Sequence, residues 1–117
     1  MIGRAPRINI LCLYDWRSSD YVSEWITRDA TRDGEQLLLQ QMLSAAPLPR
    51  DAALEVLDVG AGYGVVSEEV LQAFPAARIT LQDYSRPMLD RARQRLADSS
   101  ERLRYVLCDL TDPSWPQ

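Results

Sequence analysis

Three carboxylates, Asp58, Asp83 and Asp109, recur at intervals of 25 and 26 residues. Each stands at the end of a short apolar run, and beside the first lies the stretch Gly60-Ala61-Gly62-Tyr63-Gly64. A carboxylate is an acceptor-only group with two oxygens, suited to a vicinal diol or an amino group. Glycine lets the main chain turn through positive φ and lets a ligand reach backbone that a side chain would shield. Where such a loop leads into a helix, the free amides of the helix N-terminus suit a carboxylate or phosphate. The same residues also have a plain reading, in which the loop is a tight strand-to-helix turn that binds nothing and Asp58 only braces it.

Spacing narrows the choice. A dinucleotide-binding fingerprint places its third glycine three residues after the second, and that position is Val65 here. Cradling of a nucleoside triphosphate needs Gly-Lys-Ser/Thr, yet all 13 basic residues are arginine. Histidine is absent, which removes the commonest general base and the commonest metal ligand. Cys12 and Cys108 are far apart and form no Cys-x-x-Cys pair, so they read as two reduced thiols in a cytoplasmic protein, with no metal site. The net charge of −4 gives no electrostatic footprint for nucleic acid. The apolar stretch Ile8 to Tyr14 is too short to span a bilayer and no small-residue cleavage site follows it, so neither membrane nor targeting signal is expected.

The elements that position the acids follow from periodicity. Residues 1–17 are read as a short strand, an ordered arm around Ile8, Ile10, Leu11 and Leu13, or a poorly ordered leader. Residues 18–45 are predicted helical in two pieces. Ser19 or Asp20 caps the first, and Tyr21, Val22, Trp25 and Ile26 form its apolar face. Gly34 is a break or a cap, Leu37, Leu38, Met42 and Leu43 continue the period, and Pro47 and Pro49 end it. Leu54–Val59 is a strand, and Val66, Val70, Leu71 and Phe74 mark a helix that Pro75 stops. Ile79–Leu81 is a second strand. Ser85 caps the next helix, with Pro87 in its first turn and Met88, Leu89, Ala92 and Leu96 on its apolar face. Arg91, Arg93 and Arg95 read as a solvated face of that helix. Leu103–Cys108 is a third strand. Strands alternating with helices over short connections imply parallel strands joined by right-handed crossovers, an α/β sheet. Ligands of open α/β sheets bind at the carboxyl ends of the strands, where the three acids collect.

At these residues the chain resembles the class I S-adenosylmethionine (SAM)-dependent methyltransferases. Leu57-Asp58-Val59-Gly60-Ala61-Gly62-Tyr63-Gly64 is similar to that family's Asp-x-Gly-x-Gly-x-Gly motif. Asp83-Tyr84-Ser85-Arg86-Pro87-Met88-Leu89 with Ala92-Arg93 resembles its second-strand motif, and Cys108-Asp109-Leu110 its acidic pair after the third strand. The resemblance covers residues 54–112. It implies a Rossmann-like open parallel sheet with flanking helices, truncated after the third strand and preceded by an N-terminal helical segment. Residues 1–50 are then an arm and helical cap, and residues 51–117 the first half of a SAM-binding domain.

The resemblance also implies roles for individual residues. Gly60, Ala61, Gly62 and Gly64 border the methionine portion of SAM, and Asp58 orients that loop or reaches the SAM amino group. Asp83 accepts from both ribose hydroxyls. Tyr84 and Met88 lie at the adenine ring, with plain packing as their other reading. Asp109 accepts from the adenine amino group, and the Leu110 amide donates to the ring. Tyr21 and Trp25 either close over the pocket or pack as a core stripe. The implied activity is methyl transfer from SAM to a small-molecule acceptor, leaving S-adenosylhomocysteine. No catalytic residue is assigned, because the acceptor-facing residues of the family lie mostly beyond its third strand. The other readings are a non-catalytic SAM- or nucleoside-binding fragment of the same fold and, against the Val65 spacing, a nicotinamide-dependent oxidoreductase. In the implied strand order the first strand lies between the second and the fourth, so here its open edge invites self-association.

Overall fold

A computed structural model describes residues 15–30 and 33–113. The readings for Ile8–Leu13 and Cys12 fall outside them. Helix α1 (Ser19–Asp29) is capped by Ser18, one residue earlier than the sequence suggests, whose hydroxyl accepts from the Tyr21 amide at 3.3 Å. Ser18 is the last residue with extended backbone, so Ser19 and Asp20 already lie within the first turn, where Asp20 faces the positive end of the helix dipole. Val22 is buried, with Trp25 and Ile26 packed beside it.

Helix α2 (Asp33–Ser44) takes Gly34 into its first turn and does not break there. Of its four periodic apolar residues only Leu43 packs on the main core. Leu37, Leu38 and Met42 stay 58%, 57% and 62% exposed. The helix is held instead by polar contacts. The Gln36 and Gln40 side-chain amides both donate to Glu69 Oε1, at 2.7 and 3.4 Å, and Glu69 is itself buried.

Strands β1 (Glu55–Val59), β2 (Arg78–Asp83) and β3 (Leu103–Leu107) form a parallel sheet in the order β1-β2-β3. Helix α3 (Val65–Ala73) connects the first pair, and helix α4 (Arg86–Arg95) with a 3-10 turn (Ala97–Arg102) connects the second. Val56, Ile79 and Leu103 stand in register and share one face of the pleat, since successive strand side chains alternate. On that face they meet Val70, Leu71 and Phe74 of α3 and Leu89 and Ala92 of α4. Leu57, Thr80 and Arg104 share the opposite face. Ser85 caps α4 by accepting from the Met88 amide at 3.2 Å, with Pro87 in the first turn. Arg93 and Arg95 of α4 are exposed but engaged. Arg93 lies 4.3 Å from the Tyr105 ring centroid, and Arg95 lies 5.1 Å from that of Tyr63 and pairs with Glu68.

A smaller core of Val22, Tyr63 and Met88, flanked by Trp16 and Trp25, joins α1 to the glycine loop and to α4. Trp16, Trp25 and Tyr63 meet edge to face, with centroids 5.3 and 6.0 Å apart. The N-terminal helix is therefore fastened over the carboxyl ends of the strands.

Candidate functional site

The loop after β1 is built from alternate left-handed residues, with φ of +66° at Gly60, +58° at Gly62 and +90° at Gly64. Two of these glycines serve different ends. Gly64 caps α3, and a Cβ there would stand 3.0 Å from Leu96 Cδ1 and 3.4 Å from Ala92 Cβ. Glycine at that position lets α4 pack against the start of α3. At Gly62 a Cβ would meet only Met88 Sδ, at 3.9 Å, so the space beside it is open.

The three acids do not act alike. Asp83, at the end of β2, accepts from the Gly62 amide through Oδ2 and from the Ser85 amide through Oδ1, both at 2.9 Å. Each oxygen keeps a further lone pair for a ligand. Asp109 lies just beyond β3, and its Oδ1 accepts from the Thr111 amide and hydroxyl at 2.9 and 2.8 Å. Those bonds hold its carboxyl below the ordinary range. Asp58 lies deeper on the same side of the pleat, in register with Leu81 and Tyr105 and so two residues short of the level of Asp83. Its Oδ2 accepts from Ser67 Oγ at 2.7 Å, which ties β1 to the first turn of α3. Burial raises its pKa, the Ser67 bond opposes that, and the Asp83 charge adds to the rise.

A cleft of about 660 Å³ opens at the carboxyl ends of the strands, a size usual for small-molecule and cofactor sites. It is lined by Gly60, Ala61, Gly62, Asp83, Tyr84, Met88, Asp109 and Leu110. Asp58 and Gly64, also singled out in the sequence, stand behind this wall. Trp16, Trp25, Asp29, Glu35 and Gln82 line it as well. Sequence reasoning had left Trp25 between two readings, and it now takes both, packing against Tyr63 while facing the cleft. Asp29, Glu35 and Gln82 were missed, since nothing in the spacing of a lone polar residue reports what the fold sets beside it. Tyr63 Oη donates to Asp29 Oδ2 at 2.5 Å. Burial, then that bond and the nearby negative charge, push the Tyr63 pKa up to about 12.

Among the described residues the cleft walls carry four carboxylates, Asp29, Glu35, Asp83 and Asp109, and no basic residue. Such a site favours a cation and disfavours an anion such as a pyrophosphate. Its chemistry fits SAM, which carries a sulfonium and an ammonium group, a diol, and an adenine able to lie on Tyr84. Among the described residues no group of three His, Cys, Asp or Glu side chains could hold a metal ion, and no helix is long and apolar enough to cross a membrane.

Comparison with known proteins agrees with this geometry. The family described as Methyltransferase domain matches residues 56–117. Among curated proteins, a malonyl-[acyl-carrier protein] O-methyltransferase of Neorickettsia risticii is 36% identical over 69 residues, which is 59% of this chain and 26% of that protein. A trans-aconitate 2-methyltransferase of Paracidovorax citrulli is 36% identical over 84 residues, covering 72% and 29% respectively. The chain thus spans less than a third of the length of these relatives. Among solved structures, a SAM-dependent methyltransferase of Methanococcus maripaludis superposes with a TM-score of 0.65 at 17% identity, over 81% of this chain and 43% of that one. The magnesium protoporphyrin IX methyltransferase of Synechocystis, with S-adenosylhomocysteine bound, gives 0.64 at 21% identity, over 85% and 51%. These likenesses place the three-stranded parallel sheet and its helices within the same fold. With its glycine loop, its strand-end acids and more than half of its length matched by the family, the chain belongs to the methyltransferase-domain family of class I SAM-dependent methyltransferases.

Proposed function

We propose that this chain forms the cofactor-holding part of a cytoplasmic enzyme that transfers a methyl group from SAM to a small-molecule acceptor. One observation carries the reading: the left-handed glycine loop, the paired oxygens of Asp83 and the Asp109-Leu110 segment converge on a single acidic cleft. In this reading Asp83 accepts from the ribose hydroxyls, and Tyr84 and Met88 flank the adenine. Asp109 accepts from the adenine amino group while the Leu110 amide donates to the ring. Gly60, Ala61 and Gly62 give the methionine portion close access to backbone. Asp58 and Gly64 act from behind, fixing the start of α3. The bound cofactor supplies an electrophilic methyl group, so the protein's task is alignment and exclusion of water. Trp16 and Trp25 supply apolar cover for that second task. The matched relatives methylate malonyl-[acyl-carrier protein] and trans-aconitate, which supports an acceptor with a free carboxylate, tested first as a small molecule, as the class to assay.

Calorimetry with S-adenosylhomocysteine and with NAD tests the cofactor reading. Binding of the first and not the second is expected, and the reverse would sink it. Methyl transfer from labelled SAM by the full-length gene product tests the activity. A second reading, a non-catalytic SAM- or nucleoside-binding fragment of the same fold, is favoured by the exposure of Leu57 and Val59 on a face that complete parallel sheets cover. Cofactor binding without transfer to any acceptor would select it.

A further inference from the structure

Gln82 precedes Asp83 on β2, pairs in register with Val59 and Val106, and is 2% exposed. Its Oε1 accepts from the Gly60 amide at 2.9 Å, and its Nε2 donates to the Cys108 carbonyl at 2.6 Å. Gly60 opens the glycine loop after β1, and Cys108 leads into Asp109 after β3. β1 stops at Val59 and β3 at Leu107, and main-chain bonds run one step further, from the Ala61 amide to the Gln82 carbonyl at 2.8 Å and from the Cys108 amide to the Asp83 carbonyl at 3.1 Å. Past those ends one side-chain amide of the central strand reaches both outer connections. Its orientation is fixed by chemistry, since an amide N–H on one side needs an acceptor and a carbonyl on the other needs a donor. Glutamine supplies one of each; leucine or methionine would supply neither, and the Gly60 amide and the Cys108 carbonyl would lose this link to β2.

We infer that Gln82 is a positioning residue for the cofactor cleft, a clasp that sets the separation between the glycine loop and the Asp109-Leu110 segment. The inference rests on the cofactor reading above, because those two segments would hold opposite ends of SAM. A ligand that spans both needs them at a fixed distance, and small displacements of a binding group are costly. The clasp also explains why a polar side chain is retained in the most buried strand of the sheet.

Two substitutions separate a clasp from simple core packing. Gln82→Met keeps the volume and removes both hydrogen bonds. S-adenosylhomocysteine should bind it about tenfold more weakly at every pH, as expected for the loss of two hydrogen bonds of ordinary net strength. Gln82→Glu keeps the acceptor for Gly60 but, ionised, turns an oxygen toward the Cys108 carbonyl. Protonated, the new carboxyl can donate there. Its affinity relative to the unsubstituted chain at the same pH should therefore recover as pH falls from about 8 to about 5, since burial raises a carboxyl pKa. Amide exchange at Gly60 gives a reading that needs no ligand, and it should accelerate in Gln82→Met. A Gln82→Glu variant that tracks the unsubstituted chain at all pH values would overturn the clasp. So would unchanged Gly60 exchange in Gln82→Met. If the unsubstituted chain fails to bind S-adenosylhomocysteine, the cofactor reading falls, and Gly60 exchange still decides whether the clasp exists.

Discussion

The Gly62 amide donates to Asp83 Oδ2 at 2.9 Å across 21 residues of sequence, so the acid at the end of the second strand holds the loop that follows the first. The Ser85 amide holds the other oxygen at the same distance. Asp83 therefore shapes the cleft as well as facing it.

That double engagement changes what Asp83→Asn should do. An asparagine must turn its NH₂ toward one of two amide donors, Gly62 or Ser85, and so meets a donor with a donor. Asp83→Asn is expected to weaken S-adenosylhomocysteine binding as much as Asp83→Ala does, by about 1.5–3 kcal/mol per charge-assisted bond lost. Titration calorimetry on the three proteins checks this, and an asparagine variant with unaltered affinity would remove Asp83 from the site.

Gly62 and Gly64 should respond differently to alanine. Both sit at positive φ, so each substitution carries about 1–2 kcal/mol of backbone strain. Gly64→Ala adds the contact at 3.0 Å with Leu96 and should lower Tm clearly further than Gly62→Ala. Gly62→Ala, whose new methyl group would meet only Met88, should lose cofactor affinity out of proportion to its stability. Valine at either position is a poorer probe, because a β-branched residue tolerates positive φ badly. Equal ratios of affinity loss to Tm loss in the two alanine variants would show that the loop only turns the chain.

Asp58 gives a pH prediction with a definite sign. Its folded pKa lies above the ordinary 3.8, first through burial. The folded state thus holds this proton more tightly than the unfolded state, and the contribution of Asp58 to stability falls as pH rises through the interval above 3.8. Asp58→Asn keeps an acceptor for Ser67 and removes both the buried charge and its repulsion with Asp83. Relative to the unsubstituted chain, its Tm should gain more at neutral pH than near pH 3.8. Melting curves across that range test this, and a difference independent of pH would show that Asp58 is not perturbed.

The exposed side of the sheet bears on association. β1 stands at one end of the order β1-β2-β3, and Leu57 and Val59 on it are 54% and 51% exposed. An edge strand with apolar side chains offers free amides and carbonyls to another strand. The purified 117-residue chain is expected to self-associate as concentration rises, and Leu57→Arg together with Val59→Glu to shift it toward monomer. Sedimentation velocity distinguishes the outcomes. A monomeric chain at high concentration would mean that this edge is already protected.

The strand-helix alternation from residue 54 onward was legible in the sequence because each element there carries its own signal. Val70, Leu71 and Phe74 repeat at helical spacing, Ser85 and Pro87 mark a helix start, and Tyr105-Val106 favours a strand. Burial agrees with those signals because neighbouring elements pack in chain order. In α2 the periodicity misled. Leu37, Leu38 and Met42 have the spacing of a buried face, yet the helix docks through Gln36 and Gln40 on Glu69. Periodicity reports that a face is apolar; it does not report whether anything covers it.

By itself the sequence determined the glycine loop, the three acids at strand ends and hence the methyltransferase family, because those are fixed by residue type and by the length of one strand-helix unit. Only the tertiary structure decided how the acids divide their work. Asp58, two residues back from the level of Asp83 in the sheet register, is taken up by Ser67 of α3, while Asp83 and Asp109 reach the cleft. The fold also brought Asp29 and Trp25 of α1 and Gln82 of β2 to that cleft. Register between strands and proximity across a fold depend on packing between segments distant in sequence, which no local pattern of residues encodes.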